Sequence, residues 1–159
     1  MTTLYVQDAS GYREAASTEI LARAQGLLAQ RIRRGSPVFS NYEEIQLFLK
    51  IHLAALPHEV FAALFLDGRH RLIEYVELFR GTIDKATVHV REVVREALSR
   101  NAADVILVHN HPSGCPQPSQ ADEIVTRLIK DALALIDIRV VDHLIVGDGI
   151  YSFAEHGRI

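Results

Sequence analysis

The sequence predicts a mixed α/β fold of the α+β kind: a three-layer sandwich in which helices flank a mixed sheet. Three observations predict it. Strand-like and helix-like stretches are interspersed without a regular strand–helix–strand alternation, which argues against a doubly wound parallel sheet. Val60–Leu66 and Val105–Val108 are apolar at every position, as strands covered on both faces are. Asp67-Gly68 follows the first of these runs and signals a tight turn into an antiparallel hairpin.

The chain has 159 residues, and a chain of that size folds as one domain around a core of its own. It buries roughly two-thirds of the surface exposed when unfolded. The 17 basic residues are offset by 20 acidic ones, so no overall positive field advertises nucleic acid binding. A single cysteine, Cys115, excludes an internal disulfide. No signal peptide or apolar run of membrane-spanning length is visible, so a cytoplasmic protein without membrane attachment is expected. There is no internal repeat.

Taken in order, residues Met1–Gly11 read as weakly structured or a short strand. Ser17–Arg33 carries Ile20, Leu21, Ala24, Leu27, Leu28 and Ile32 at helical spacing, ended by Gly35-Ser36-Pro37. The arginines at 23, 31, 33 and 34 read as a solvated helix end with cations near its C-terminal dipole. Residues 1–40 are expected to form a helical appendage that packs on the core or on a second copy, and residues 41–159 the main domain. Ser40-x-x-Glu43 is a capping box opening a helix to about Leu56, with Ile45, Phe48, Leu49, His52 and Leu56 inward and Pro57 as its breaker. His52 reads there as a packing residue. The hairpin follows, its second strand Leu72–Phe79 interrupted by Gly81. An extended piece, Thr82–Val90, leads to a helix from Arg91 to Arg100 with Val93, Val94, Ala97 and Leu98 inward. After the second apolar strand a helix is expected over Gln120–Ile136. Two strands, Arg139–Val146 and Ile150–Phe153, are joined by the turn Gly147-Asp148-Gly149.

Between the second apolar strand and the Gln120 helix lies HNHPSGCPQPSQAD, residues 109–122. Alternate residues of a strand share a face, so His109 and His111 present two imidazoles roughly 7 Å apart at the backbone. Asn110 points to the other face, where it is expected to brace the loop. Pro112 holds His111 extended and ends the strand. Ser119-x-x-Asp122 is a helix start that places Asp122 in the first turn. Taken singly, each part has a structural explanation: paired packing histidines, a capping box, an incidental cysteine. In combination, two imidazoles and one carboxylate with a fourth position open match a catalytic zinc site rather than a closed structural one. A metallo-β-lactamase pattern needs an aspartate where Ser113 stands, and a zinc deaminase needs two cysteines. A barrel amidohydrolase needs a much longer chain. The letters H-N-H match the HNH nuclease name only by accident.

His-x-His, seven residues, then Ser-x-x-Asp resembles the JAMM motif of the JAMM/MPN metalloproteases. The fuller VILVHNHPSGCPQPSQAD, followed by DHLIVGDGIYSF, resembles the RadC family, often called DNA repair protein RadC. The resemblance covers about Pro57–Phe153. It implies a cytidine-deaminase-like MPN fold and a bacterial or prophage context. Larger members carry a helix-hairpin-helix domain in front. No glycine-containing hairpin motif stands in the first forty residues here, so a short form is expected.

Hydrolysis needs a base beside the metal, and Glu59, Glu74, Glu77, Glu92 and Glu123 are available. Glu59 lies between a helix-ending proline and a buried strand, with Val60 and Phe61 to dry its surroundings. The alternative reading of Glu59 is a strand-end surface charge. The resemblance carries the base role to Glu59, with Glu92 as substitute; Glu74 and Glu77 are expected to face solvent. The resemblance also gives the Ser119 hydroxyl an oxyanion or water contact beside its capping job. His89 and His143 are the remaining imidazoles of interest, and Asp142-His143 reads as a supporting or packing pair. Cys115 is given no role.

The reading as a whole is a zinc-dependent hydrolase of the JAMM type, cleaving a peptide or isopeptide bond. One Zn2+ per chain is held by His109, His111 and Asp122, with Glu59 and Ser119 catalytic. The substrate would be a peptide or protein conjugate, and homo-oligomerisation is open. Two alternatives stand beside it: a DNA-repair or nucleic-acid-associated accessory protein, weakly supported by this sequence, and a non-catalytic MPN scaffold, which typically lacks the ligands retained here.

Overall fold

The computed structural model describes residues 3–8, 11–31, 42–81 and 88–159. The helix end expected at Gly35-Ser36-Pro37, the cap at Ser40, Ile32, Arg33, Arg34 and the stretch 82–87 lie outside the described residues.

Five strands form one mixed sheet in the order β4-β3-β5-β6-β7. In chain order they are β3 (Val60–Leu66), β4 (Leu72–Arg80), β5 (Asp104–Asn110), β6 (Arg139–Val146) and β7 (Ile150–Ser152). The helices are α1 (Ser17–Arg31), α2 (Tyr42–Leu53), α3 (Val90–Ser99) and α4 (Gln120–Ala134). Neighbouring strands are antiparallel except β5 and β6, which run parallel and so need the α4 crossover between them.

β3 and β5 are buried at every position, and their side chains alternate between two cores. Val60, Ala62, Leu64, Ile106 and Val108 pack on Ile45, Leu49 and Leu53 of α2. Phe61, Ala63, Phe65, Val105 and Leu107 pack on the other face with Val93 and Ala97 of α3 and Ile129 and Leu133 of α4. The result is three layers: α2, the sheet, then α3 with α4.

Two inward assignments shift. The buried stripe of α2 is Ile45, Leu49 and Leu53, and the helix ends there, before the expected Leu56. Phe48 and His52 flank that stripe; His52 stacks on Phe48 and meets Glu77 Oε1 at 3.1 Å, which keeps it a packing residue. On α3, Leu98 is 56% exposed. At about 100° per residue it stands well round the helix from Val93 and Ala97, its two buried residues.

The N-terminal residues form a hairpin rather than a weak or single strand: β1 (Tyr5–Asp8) pairs antiparallel with β2 (Gly11–Glu14). Arg13 ties it to α1 through a two-pronged bond with Glu19 at 2.6 and 2.9 Å, and Glu19 also accepts from the N–H of Ala16 at the helix start. Among the described residues no helix is long and apolar enough to cross a membrane.

Candidate metal centre

β5 delivers both histidines. Its C-terminal end is held on both sides, with Phe61 of β3 and Ile145 of β6 opposite His109. His111 lies one residue past the strand, and its backbone N–H still donates to Val146 at 2.9 Å. α4 delivers the carboxylate. Ser119 caps it as expected: Asp122 N–H donates to Ser119 Oγ at 3.2 Å, and Asp122 Oδ2 accepts from Ser119 N–H at 2.7 Å.

These elements bring His109, His111 and Asp122 together, with one donor atom of each within 4.8 Å of the others. His109 Nε2 lies 2.9 Å from His111 Nε2 and 3.1 Å from Asp122 Oδ1, and His111 Nε2 lies 3.4 Å from Asp122 Oδ2. Four ligands about 2.0–2.1 Å from a tetrahedral zinc would stand roughly 3.3 Å apart, so the spacing fits.

The donor chemistry fits as well. His111 Nδ1 is 2.7 Å from the Cys115 carbonyl, which only accepts, so that nitrogen carries a proton. His109 Nδ1 is turned to His143 Nε2 at 2.8 Å. Both Nε2 atoms therefore converge with a carboxylate on one point. That convergence calls for positive charge, supplied by a shared proton or by a cation. Burial pushes the Asp122 carboxyl up, but the His109 and His111 imidazoles and the Ser119 hydroxyl outweigh it and hold it well below the usual range. The Asp122 hydrogen bond, only partly opposed by burial, raises His111 above its ordinary value.

A cavity of about 730 Å³ opens over the triad, and the carboxylates lining it are Glu59 and Asp122. Glu59 precedes β3 on the same sheet face as Phe61 and His109, so the β3–β5 register continued two residues beyond the Phe61–His109 pair sets it across from His111. Its charge is felt at His111. Ser119 also lines the cavity, its hydroxyl donating to Asp122 Oδ2 at 2.6 Å. The other glutamates are elsewhere. Glu92 pairs with Arg95 on α3, Glu74 with Arg100, Glu77 with His52, and Glu123 with Arg158.

Asn110 does point to the opposite face, but it does not brace the 112–118 loop. Its Oδ1 accepts from Val60 N–H at 2.7 Å and its Nδ2 donates to the His58 carbonyl at 3.1 Å, so it clamps the backbone on either side of Glu59. The loop is held instead by the turn between β6 and β7, where Asp148 N–H donates to the Gly114 carbonyl at 2.7 Å. A Cβ on Gly147 would stand 2.3 Å from that carbonyl oxygen, so only glycine allows the approach. Cys115 is exposed and contributes its backbone carbonyl.

His143 lies within β6, fully buried, rather than at a strand start. Burial, reinforced by His109, pushes its pKa well below the ordinary value, so it is neutral. Its Nδ1 meets Thr126 Oγ1 at 2.5 Å. Thr126 is the residue that sequence reasoning passed over. The available signal was a hydroxyl one helical turn after Asp122, on the face that Ile129 and Leu133 bury. His89 is the residue before α3, packs edge-on against Phe79 and is not part of the triad's cluster.

The RadC-like JAB domain family matches residues 39–158. The chain is 55% identical over 138 residues to a UPF0758 protein of Vibrio cholerae serotype O1, covering 87% of each. It is 54% identical over 140 residues to a UPF0758 protein of Thioalkalivibrio sulfidiphilus, spanning 88% of this chain but 62% of that one. A UPF0758 protein of Methylibium petroleiphilum is 50% identical over 148 residues, 92% of this chain and 66% of that relative. On this match the chain belongs to the RadC-like JAB domain family.

Proposed function

We propose that the chain is a zinc-dependent hydrolase that cleaves a peptide or isopeptide amide bond. The observation that carries the reading is one open cavity lined by two imidazoles, one carboxylate aimed at both, and a second carboxylate, Glu59, outside that three-residue cluster. His109, His111 and Asp122 would hold one zinc ion and leave a fourth position facing the cavity. When bound, zinc supplies Lewis acidity toward a carbonyl oxygen and lowers the pKa of water to about 7.

The remaining work falls to the chain. Glu59 takes the proton of the attacking water and hands it to the departing nitrogen. The apolar lining from Phe61, Val88 and Val125 keeps the surroundings dry. Ser119 now spends its hydroxyl proton on Asp122. Turned toward the cavity, the same proton would meet an oxyanion. Residues 1–40 are read as an appendage to this unit.

The test is zinc content followed by hydrolysis of a peptide and conjugate panel. Wild type should bind about one zinc per chain, and a His109→Ala, His111→Ala double variant none. Glu59→Gln should keep zinc and lose hydrolysis by 10²-fold or more. Unchanged zinc content in the double variant would remove the assignment, and full hydrolysis by Glu59→Gln would remove the base.

A further inference from the structure

We propose that His143 and Thr126 are positioning residues that determine which nitrogen of His109 is offered to a metal ion; the proposal rests on the metal reading above. The argument starts from an atom with no choice. The backbone carbonyl of Asp122 lies 2.5 Å from Thr126 Oγ1 and can only accept, so the single hydroxyl proton of Thr126 points there. Thr126 Oγ1 then has only lone pairs left for His143 Nδ1, 2.5 Å away, and that nitrogen must carry a proton. A neutral imidazole protonated on Nδ1 has a bare Nε2. His143 Nε2 faces His109 Nδ1 at 2.8 Å, so His109 is the donor in this bond. With its proton fixed on Nδ1, His109 presents Nε2 toward Asp122 and His111.

The bonds close a ring through three elements: α4 to β6, β6 to β5, and β5 back to the Asp122 carboxylate. The His143 ring is held by stacking on Phe153 at 4.9 Å and by an edge contact with Phe61 at 5.7 Å, so it has little freedom to turn. Thr126 and His143 are both buried, so no solvent proton substitutes for a lost link. Without the Thr126 hydroxyl, His143 is free to carry its proton on Nε2 and donate to His109 Nδ1. A neutral His109 then holds its own proton on Nε2, where the ion must sit.

Thr126→Val removes the hydroxyl at nearly constant shape, and Thr126→Ser restores it. Affinity for Zn2+ alone is measured by competition with a chromogenic chelator, and the ring protonation of His143 and His109 by ¹⁵N NMR. Thr126→Val should weaken zinc binding about 10–100-fold, the usual effect of losing a partner behind a ligand. Thr126→Ser should stay within about threefold of wild type on the same rule. Both histidines in zinc-loaded wild type should carry their proton on Nδ1. Melting of the metal-free variants reports folding separately, and a purely structural role would lower it without changing zinc affinity. Wild-type affinity in Thr126→Val, or an Nε2-protonated His143 in wild type, overturns this inference alone. A wild type that binds no zinc overturns the metal reading and this inference with it.

Discussion

Asn110 Oδ1 accepts the backbone N–H of Val60 at 2.7 Å, which ties the residue between the two histidines to the residue after Glu59. With the second bond to the His58 carbonyl, the strand that carries the imidazoles also sets the position of the proposed base. Asn110→Ala should leave zinc affinity near wild type, because no ligand is touched. It should lower hydrolysis about 10²-fold, the scale of a roughly 1 Å misplacement. It should also destabilise by about 1–3 kcal/mol for each buried backbone group left unpaired. Chelator competition beside steady-state rates separates these effects, and a variant that loses zinc as well would show the clamp supports the ligands too.

Asp122 has two jobs: Oδ2 accepts from Ser119 N–H while the carboxylate faces both imidazoles. Asp122→Asn keeps an acceptor for the cap but loses the charge. It should melt within a few degrees of wild type and lose zinc. Asp122→Ala should lose zinc and about 1 kcal/mol of helix-start stability besides. Calorimetry with metal analysis checks both, and zinc retained in either variant contradicts the assignment.

Acid and base should act on the metal-free site from opposite sides. His111 is raised, so its stabilisation is complete below about pH 6.5 and is lost as pH rises through its folded pKa. Asp122 is lowered, so its stabilisation is present above about pH 4 and is lost as pH falls. The Tm difference between wild type and His111→Asn, without metal, should therefore be largest between these limits. Zinc must displace the His111 proton, so the Tm gain on adding it should be larger at pH 8 than at pH 6. A gain that shrinks with rising pH would exclude His111 as a ligand.

Gly147→Ala should push the 112–118 loop off its turn, because the added methyl meets backbone rather than a side chain that can move. The loop carries the Cys115 carbonyl that orients His111. Zinc affinity should fall several-fold while the far-UV spectrum is unchanged. Unaltered affinity would mean the loop does not hold the imidazole.

Much of this was legible in residue order. Continuous apolar runs gave β3 and β5, alternation placed His109 and His111 together, and a capping pattern placed Asp122 in the first turn of α4. Asn110 was readable as pointing to the other face, but not as reaching His58 and Val60, since strand adjacency of β3 and β5 has no local signal. Leu98 was misplaced because apolar spacing defines a stripe without saying how much of it the sheet covers. His143 was readable as a supporting or packing residue, but its bond to Thr126 was not: that partnership is made by the α4 crossover, and a lone hydroxyl in a helix reads as surface.

The parallel pairing of β5 and β6 has a kinetic corollary. All three proposed metal donors lie between residues 109 and 122, within one strand exit and the opening of its crossover helix. Glu59 must arrive from 50 residues upstream, as the span of its Asn110 clamp shows. Short-range closure is entropically cheaper than long-range closure. During refolding, ion capture should therefore precede hydrolytic competence, and a chain could grip its cation before it could use it.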